Sequence, residues 1–546
     1  MRLNKNYKLC LLLMVAGFAG CTKLDEKLNS TLTNQQTAAA LGSQGTALLL
    51  KAAYADFTGP FGDVGQLVNL TGNSSDESLV PTRGGDWDDN GAWRVVHNHT
   101  WTADLGSILN TFNSLNKLNF DATNVLAFGP TAEQAAEARF LRAWSLYYLL
   151  DLFGQYPIRN PGDNLLNAPE VKSGTAAVDF IISELNAILA TLPAAVPNMN
   201  YRANPDAARM LLMRCYLNKG AFANRAAPTF ADADMQQVIT LGNAIITSGR
   251  YSYTPNFFDN FSVDNDTKSK EGIFCYQNTG GVSANNLDVR SFWYRTLHYN
   301  QYTPKNPNAG WNGFSTVAEF YNTFGITTTP TMTLNDSLLD KRIGGRFYHG
   351  VTDLSGIRPG LLVGQQYNEN GVALRDRKNP SNALAFDPVI GTNMIETSSN
   401  KEEITGIRVV KYPPDMANYD GSAGNDLIIF RYPDVVLMVA EAMMRKATPD
   451  NAGALTLVNG LRTARGAAPL ASMTLVSATN YAPSTLLAER GRELYWEYVR
   501  RTDLIRFGVF LRPWPYKPAD NPKYLLFPIP SQSLAANPNL VQNPGY

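Results

Sequence analysis

The chain has 546 residues, 44% hydrophobic and 17% charged, with 47 basic against 47 acidic side chains and no formal net charge. That balance excludes the basic footprint of a nucleic-acid-binding protein, and the apolar content excludes disorder over most of the chain. One core stops growing near roughly 250 to 300 residues, so this length calls for a large composite fold or for two to three lobes.

Arg2, Lys5 and Lys8 precede an apolar run of 11 residues, Leu9 to Ala19, that ends in small residues before Cys21. This is the pattern of a cleaved secretory signal over residues 1–20. At about 1.5 Å per residue the run is too short for a ~30 Å hydrocarbon core, and no later stretch reaches about 18 uninterrupted apolar residues, so no transmembrane helix is expected. Phe18-Ala19-Gly20-Cys21 resembles a bacterial lipobox, with Phe18 in place of the usual aliphatic residue. It implies a lipidated Cys21, the alternative being plain secretion with a free thiol. Residues 21–35 are polar and read as a tether. Loss of the signal removes three bases and leaves a mildly acidic chain whose body holds only Cys215 and Cys275. Two cysteines make no disulfide framework, and both are expected as buried small hydrophobes.

Helical patterning begins near Gln36 and holds to about residue 255. Its strongest element is residues 131–153, where Thr131 and Gln134 suit a capping box, Phe140, Trp144, Tyr147 and Tyr148 share one face, and Gly154 then Pro157 end the helix. Further helices are predicted at 174–191, 203–221 and 232–247, and short turns between them suggest stacked hairpins. From 256 to 426 glycine, asparagine, aspartate, threonine and tyrosine dominate, which predicts short strands, one or two short helices and long loops. Helices return at 431–446, 452–465 and 484–507. The closing segment, "YLLFPIPSQSLAANPNLVQNPGY", is too rich in proline and asparagine for regular structure and is expected to run extended along the surface.

Catalytic signatures are missing: there is no nucleophile elbow, Walker A loop, HExxH or dinucleotide fingerprint. His97 and His99 form the one local histidine pair, read as structural, and no metal or other cofactor is expected. "DNDTKSKE" lacks the glycine and terminal carboxylate of a calcium loop and reads as a solvated turn. Glu489 with Arg492 and Glu497 with Arg501 stand at pairing offsets, so 484–507 reads as a structural helix laced with salt bridges rather than an acid pair. Asp86, Asp88 and Asp89 remain the candidate acids of a surface glycoside hydrolase.

The informative segment is "NSSDESLVPTRGGDWDDNGAWRVVHNHTW", which sets Trp87, Trp93 and Trp101 among aspartate, asparagine and arginine. Indole and phenol rings stack on the C–H faces of sugars, and carboxylate, amide and guanidinium groups suit their hydroxyls. "SFWYRTLHYNQY" adds Trp293, Tyr294, Arg295, Tyr299, Asn300 and Tyr302. Trp101 reads as structural.

Five motifs stand in order: "EARFLRAWSLYYLLDLFGQYP", "FRYPDVVLMVAEA", "VNGLRTARG", "LLAERGRELYWEYVRRTDLIRFG" and "YLLFPIP" with "NPNLVQNPGY". Together they resemble the SusD/RagB family of Bacteroidetes lipoproteins, from the lipobox to Tyr546. The resemblance implies a mainly α fold with four tetratricopeptide-like helical pairs packed against an irregular, loop-rich region with a few short strands. It implies an N-terminal SusD-like helical region over 36–255 and a C-terminal RagB/SusD region over 256–546, joined as one composite domain. It further implies an outer-membrane lipoprotein without catalytic activity that binds oligosaccharide or polysaccharide and delivers it to a SusC-like TonB-dependent transporter, with peptide as the alternative cargo. The matching loops nominate Arg83, Asp86, Trp87, Asn90, Trp93, Trp293, Tyr294 and Tyr299 as ligand-binding residues, with Trp87 and Trp293 stacking. Trp311 is assigned to the scaffold.

Overall fold

The computed structural model describes residues 34–282, 287, 289–301, 310–326, 340–344, 357–368, 370–398, 400–418 and 422–546. The signal, Cys21, most of the tether and Tyr302 lie outside them. In chain order the principal helices are α1 (Asn34–Ala55), α2 (Gly106–Ala127), α3 (Ala132–Phe153), α4 (Gly174–Asn186), α5 (Pro205–Ala223), α6 (Asp232–Ile246), α7 (Tyr432–Arg445), α8 (Asn451–Ala464), α9 (Leu486–Leu494) and α10 (Arg500–Arg506). Helices α1 to α8 pack each against the next, giving four pairs.

Local chemistry sets the helix ends. Thr131 Oγ1 accepts from Gln134 N while the Gln134 side chain accepts from Thr131 N, the predicted capping box. Asn204 caps α5 by accepting from Asp206 N and Ala207 N, with Pro205 supplying a first residue whose N–H is not needed. From Ala136 on, α3 is buried nearly all round, so it is the central helix of the stack. The α6–α7 contact joins helices almost 200 residues apart in sequence, and it needs Gly242: a Cβ there would stand 2.2 Å from Val439 Cγ2 and 2.9 Å from Met213 Cε.

The irregular region hangs from the stack by two strands. β4 (Gly272–Tyr276) pairs antiparallel with β10 (Leu427–Arg431), with Leu427 opposite Tyr276 and Ile428 opposite Cys275. Among the described residues every sheet has two strands: β2 (Gln155–Ile158) with β3 (Glu170–Ser173), β5 (Gly360–Leu362) with β9 (Arg408–Val410), and β6 (Gly364–Gln365) with β7 (Ala385–Phe386). β1 (Thr82–Arg83) runs parallel to β8 (Ile395–Glu396), and the loop after it begins at Gly84, close to Glu402. Cys215 on α5 and Cys275 on β4 are buried free thiols.

Three expectations need correction. Residues 484–507 are two helices, because Trp496 and Tyr498 adopt left-handed backbone (φ 58° and 66°) between α9 and α10. The expected salt bridges are present and buried: Glu493 accepts from Arg431, Arg465 and Arg342, and Glu489 from Arg342, Arg462 and Arg492. The Glu497–Arg501 pair is not made. The break turns Glu497 toward Arg431 and Lys411, while Arg501 donates to the Leu525 carbonyl. The C-terminal segment is not an extended surface strand: it forms a short helix, Ser531–Ala536, and buries Phe527 and Ile529. Tyr546 closes it, its hydroxyl accepting from Trp101 Nε1 at 2.7 Å and donating to the Leu526 carbonyl.

Candidate functional site

Gly84, Gly85 and Gly91 bracket a loop in which Trp87 (φ 61°), Asp89 (φ 40°) and Asn90 (φ 54°) all take left-handed backbone. Each such non-glycine residue costs of order 1–2 kcal/mol and persists only when its surroundings hold it. They do so here. Trp87 Nε1 donates to the Trp311 carbonyl at 2.6 Å, and Trp93 Nε1 donates to Asp89 Oδ2 at 2.6 Å. The two indoles meet edge to face at 5.1 Å, and each leans on Phe314 at 5.7 Å. Trp311 meets Trp87 through its backbone carbonyl, while its own indole is 40% exposed and tilted against Tyr294 at 5.6 Å.

The segment bearing Trp311 is clamped along its length. The amides of Trp311, Asn312, Gly313 and Phe314 donate in turn to the carbonyls of Tyr294, Leu297, Arg295 and again Arg295. Buried Arg295 adds its guanidinium, which stands over Phe314 at 5.3 Å, Phe292 at 5.2 Å and Trp496 at 4.6 Å. Thus the left-handed turn at Trp496 and the exposed indoles are joined through Phe314.

A polar cluster borders the indoles. Tyr299 OH donates to Asp86, and burial together with that carboxylate pushes the phenol up, so it stays protonated at neutral pH. Arg377 lies over the Tyr299 ring at 3.7 Å, donates to Glu403 Oε1, and stands 3.8 Å from Asp86. Burial would raise the Glu403 carboxyl, but hydrogen bonds from His298 and Arg377 outweigh it and hold the group below its usual range. His298 Nδ1 accepts from Asn300 N, so its Nε2 carries the proton and donates to Glu403 at 3.1 Å; burial lowers its pKa and keeps it neutral. Asp88 pairs with Arg94, and Lys378 with Glu402. The three candidate acids therefore serve as hydrogen-bond acceptors within the loop.

Of the nominated residues, Asp86, Trp87, Asn90, Trp93 and Tyr299 reach the surface. Three do not. Arg83 is fully buried, donating to Thr405 Oγ1 at 2.7 Å and Ser315 Oγ at 2.9 Å; β1–β8 pairing turns it inward as a bolt under the loop. Trp293 is 1% exposed and Tyr294 is 7% exposed, because the short helix Arg290–Tyr294 packs that face into the core. Trp293 therefore stacks on no ligand in this arrangement, and Trp311, assigned to the scaffold, holds the exposed place instead. Arg377 and Glu403 escaped sequence reasoning. The basic run Arg375-Asp376-Arg377-Lys378 was a visible signal, but only the fold brings it to Tyr299.

His97 faces the backbone carbonyls of Asn73, Ser78 and Pro515 as a donor, and His99 pairs with Asp520, so both are structural. Among the described residues no group of three or more histidine, cysteine, aspartate or glutamate side chains is placed to hold a metal, and no helix is long and apolar enough to cross a membrane.

The chain resembles known proteins in sequence and in fold. The starch-binding protein SusD of Bacteroides thetaiotaomicron is 26% identical over 458 residues, covering 78% of this chain and 75% of that protein. The crystal structure of a SusD superfamily protein from Parabacteroides distasonis superposes with a TM-score of 0.65 at 17% identity, over 92% of this chain and 99% of the other. Surface glycan-binding protein A from Bacteroides uniformis gives 0.64 at 18% identity, with the same 92% and 99% coverage. The sequence profile of the SusD family matches residues 246–546, more than half of the chain, and the protein belongs to that family.

Proposed function

We propose that this protein is a non-catalytic surface lipoprotein, anchored to the outer membrane through Cys21, that captures oligosaccharide and passes it to a SusC-like TonB-dependent transporter. The observation that carries this reading is the half-exposed pair of Trp87 and Trp93, held in a strained loop beside Asp86, Asn90, Tyr299 and Arg377, with the exposed Trp311 on the strap whose backbone carbonyl holds Trp87. Flat indole faces receive the apolar face of a pyranose, and the adjoining carboxylate, amide, phenol and guanidinium receive its hydroxyls. The starch-binding and glycan-binding names of its relatives agree with such a cargo. With each carboxylate at the loop engaged by a tyrosine, arginine or indole donor, the site is arranged to hold a ligand rather than to transfer a proton.

Isothermal titration against a panel of plant, microbial and host glycans tests the reading, with Trp87→Ala alongside. The expected result is binding to one glycan class, weakened at least tenfold in the variant. Heat from capped peptides and none from any glycan would transfer the reading to peptide cargo.

A further inference from the structure

A cavity of about 270 Å³ lies between α2, β2 and the helix Ser531–Ala536. Phe112, Phe120, Pro157, Ile158 and Leu540 form most of its wall, and Phe120 is 40% exposed, so the cleft opens to solvent. Residues 112, 116, 120 and 123 stand three or four apart, and α2 therefore presents them as one face. The C-terminal wall is firm, since Gln155 exchanges two hydrogen bonds with Val541, and Asn539 donates to the Pro169 carbonyl.

The polar part of the wall offers a ligand little. The amides of Asn116, Asn119 and Asn537 are spent on the Phe112 carbonyl, the Pro157 carbonyl and Asn539 N, and the atoms they leave over are closed to solvent. A ligand rich in hydroxyl or peptide groups would leave those groups unsatisfied against this wall. Among the described residues Arg159 is the one charged side chain along the lining. Its guanidinium donates to the carbonyls of Asn164 at 3.2 Å, Leu165 at 3.4 Å and Asn167 at 2.7 Å, and no described carboxylate pairs with it. Neutral partners fix the group in place without cancelling its charge. The cleft thus joins an apolar wall to one unbalanced positive charge, which favours an anion and disfavours a cation. Its volume falls just below the roughly 300–1,000 Å³ of drug-sized sites, room for a short chain or one ring.

We propose that this cleft is a second binding site, separate from the indole platform, for a small free apolar monocarboxylate whose hydrocarbon lies against Phe112, Phe120 and Leu540 and whose carboxylate faces Arg159. The platform lies on the loop after β1, whereas this site is built by α2, β2 and the C-terminal segment, so each can be removed without the other.

Isothermal titration of the whole protein with hexanoate, heptanoate, octanoate and nonanoate, each below its micelle-forming concentration, tests it. Burying one methylene raises affinity by about fourfold, so binding should tighten by up to that factor per carbon until the cleft is full. Octanoate should bind at least threefold more tightly than 1-octanol and at least tenfold more tightly than octylammonium, and Arg159→Gln should bring octanoate level with octanol. Phe120→Ala should weaken octanoate at least threefold. Phe120→Asp, which sets a carboxylate against the ligand's own at an exposed helix position, should abolish its binding. The comparison of the three octyl ligands on the wild type needs no variant, and it carries the charge assignment if Arg159→Gln disturbs its loop. No binding of any carboxylate, or no rise with chain length, would overturn the site. So would octylammonium binding as well as octanoate, a preference for octanoate that Arg159→Gln leaves intact, or octanoate binding that survives Phe120→Asp. None of these results depends on whether the platform binds oligosaccharide.

Discussion

Gly313→Ala is the most direct perturbation of the platform. A Cβ at this position would stand 2.4 Å from Trp87 Cε2 and 2.6 Å from Cζ2, against an ordinary carbon–carbon contact of about 3.5–4.0 Å. The indole must therefore retreat by about 1 Å or more, since the neighbouring backbone is held by the Arg295 carbonyl. Gly313 does not occupy left-handed backbone, so alanine adds no conformational strain of its own. The displaced indole loses its hydrogen bond to the Trp311 carbonyl, worth about 0.5–1.5 kcal/mol, and its edge contacts with Trp93 and Phe314, worth about 0.5–1.5 kcal/mol each. Trp87 is only half-buried in a surface loop, so relaxation should hold the loss of global stability to about 1–2 kcal/mol while the platform is dismantled. Two assays read this. Near-ultraviolet circular dichroism reports the Trp87–Trp93 pair without ligand, and titration with the responding glycan should show at least a tenfold loss of affinity, about 1.4 kcal/mol. An unchanged dichroism spectrum together with wild-type affinity would refute the claim that close approach at Gly313 positions the site.

Glu493→Gln keeps the shape of the side chain but removes the charge that Arg342, Arg431 and Arg465 share, and sets an amide N–H₂ against guanidinium donors. Breaking a buried pair of this kind costs about 3–5 kcal/mol, so the denaturant midpoint should fall sharply with little change in slope. Glu77 titrates in the opposite sense from a salt-bridged acid: burial raises it from 4.5 to about 8, against the lowering influence of Arg500. The native state therefore binds its proton more tightly than the unfolded chain. Its stabilisation is complete below about pH 4.5 and is lost at up to about 1.4 kcal/mol per unit as the pH rises to about 8. Glu77→Gln retains an acceptor for Trp496 N and should flatten that part of the pH–stability curve; an unchanged slope would show that Glu77 does not titrate there.

Much of the scaffold is legible locally. Helices at 131–153, 203–221, 232–247, 431–446 and 452–465 came within about two residues of their observed ends, because caps such as Thr131 and Asn204 and stops such as Gly154 act within one turn. The helix at 174–191 ends earlier, at Asn186. The break at Trp496–Tyr498 was invisible because its cause is not local: the Trp496 amide and indole are both held by Glu77, more than 400 residues upstream. Aromatic side chains in left-handed backbone have no sequence signature.

The sequence by itself determined the helical scaffold, the loop-rich middle, the likeness to a family and the segment that carries Trp87 and Trp93. Which aromatic residues face outward was decided only by tertiary structure. Trp293 and Trp311 have similar local chemistry, yet one is buried by the packing of a five-residue helix and the other is carried to the surface along a strap clamped to residues 294–297. The neutralising partners were decided the same way, since Asp86 meets Tyr299 and Arg377 across more than 200 residues of chain. Burial and pairing depend on contacts made by long loop closures, whose cost and reward lie outside any window in which periodicity or capping can be read.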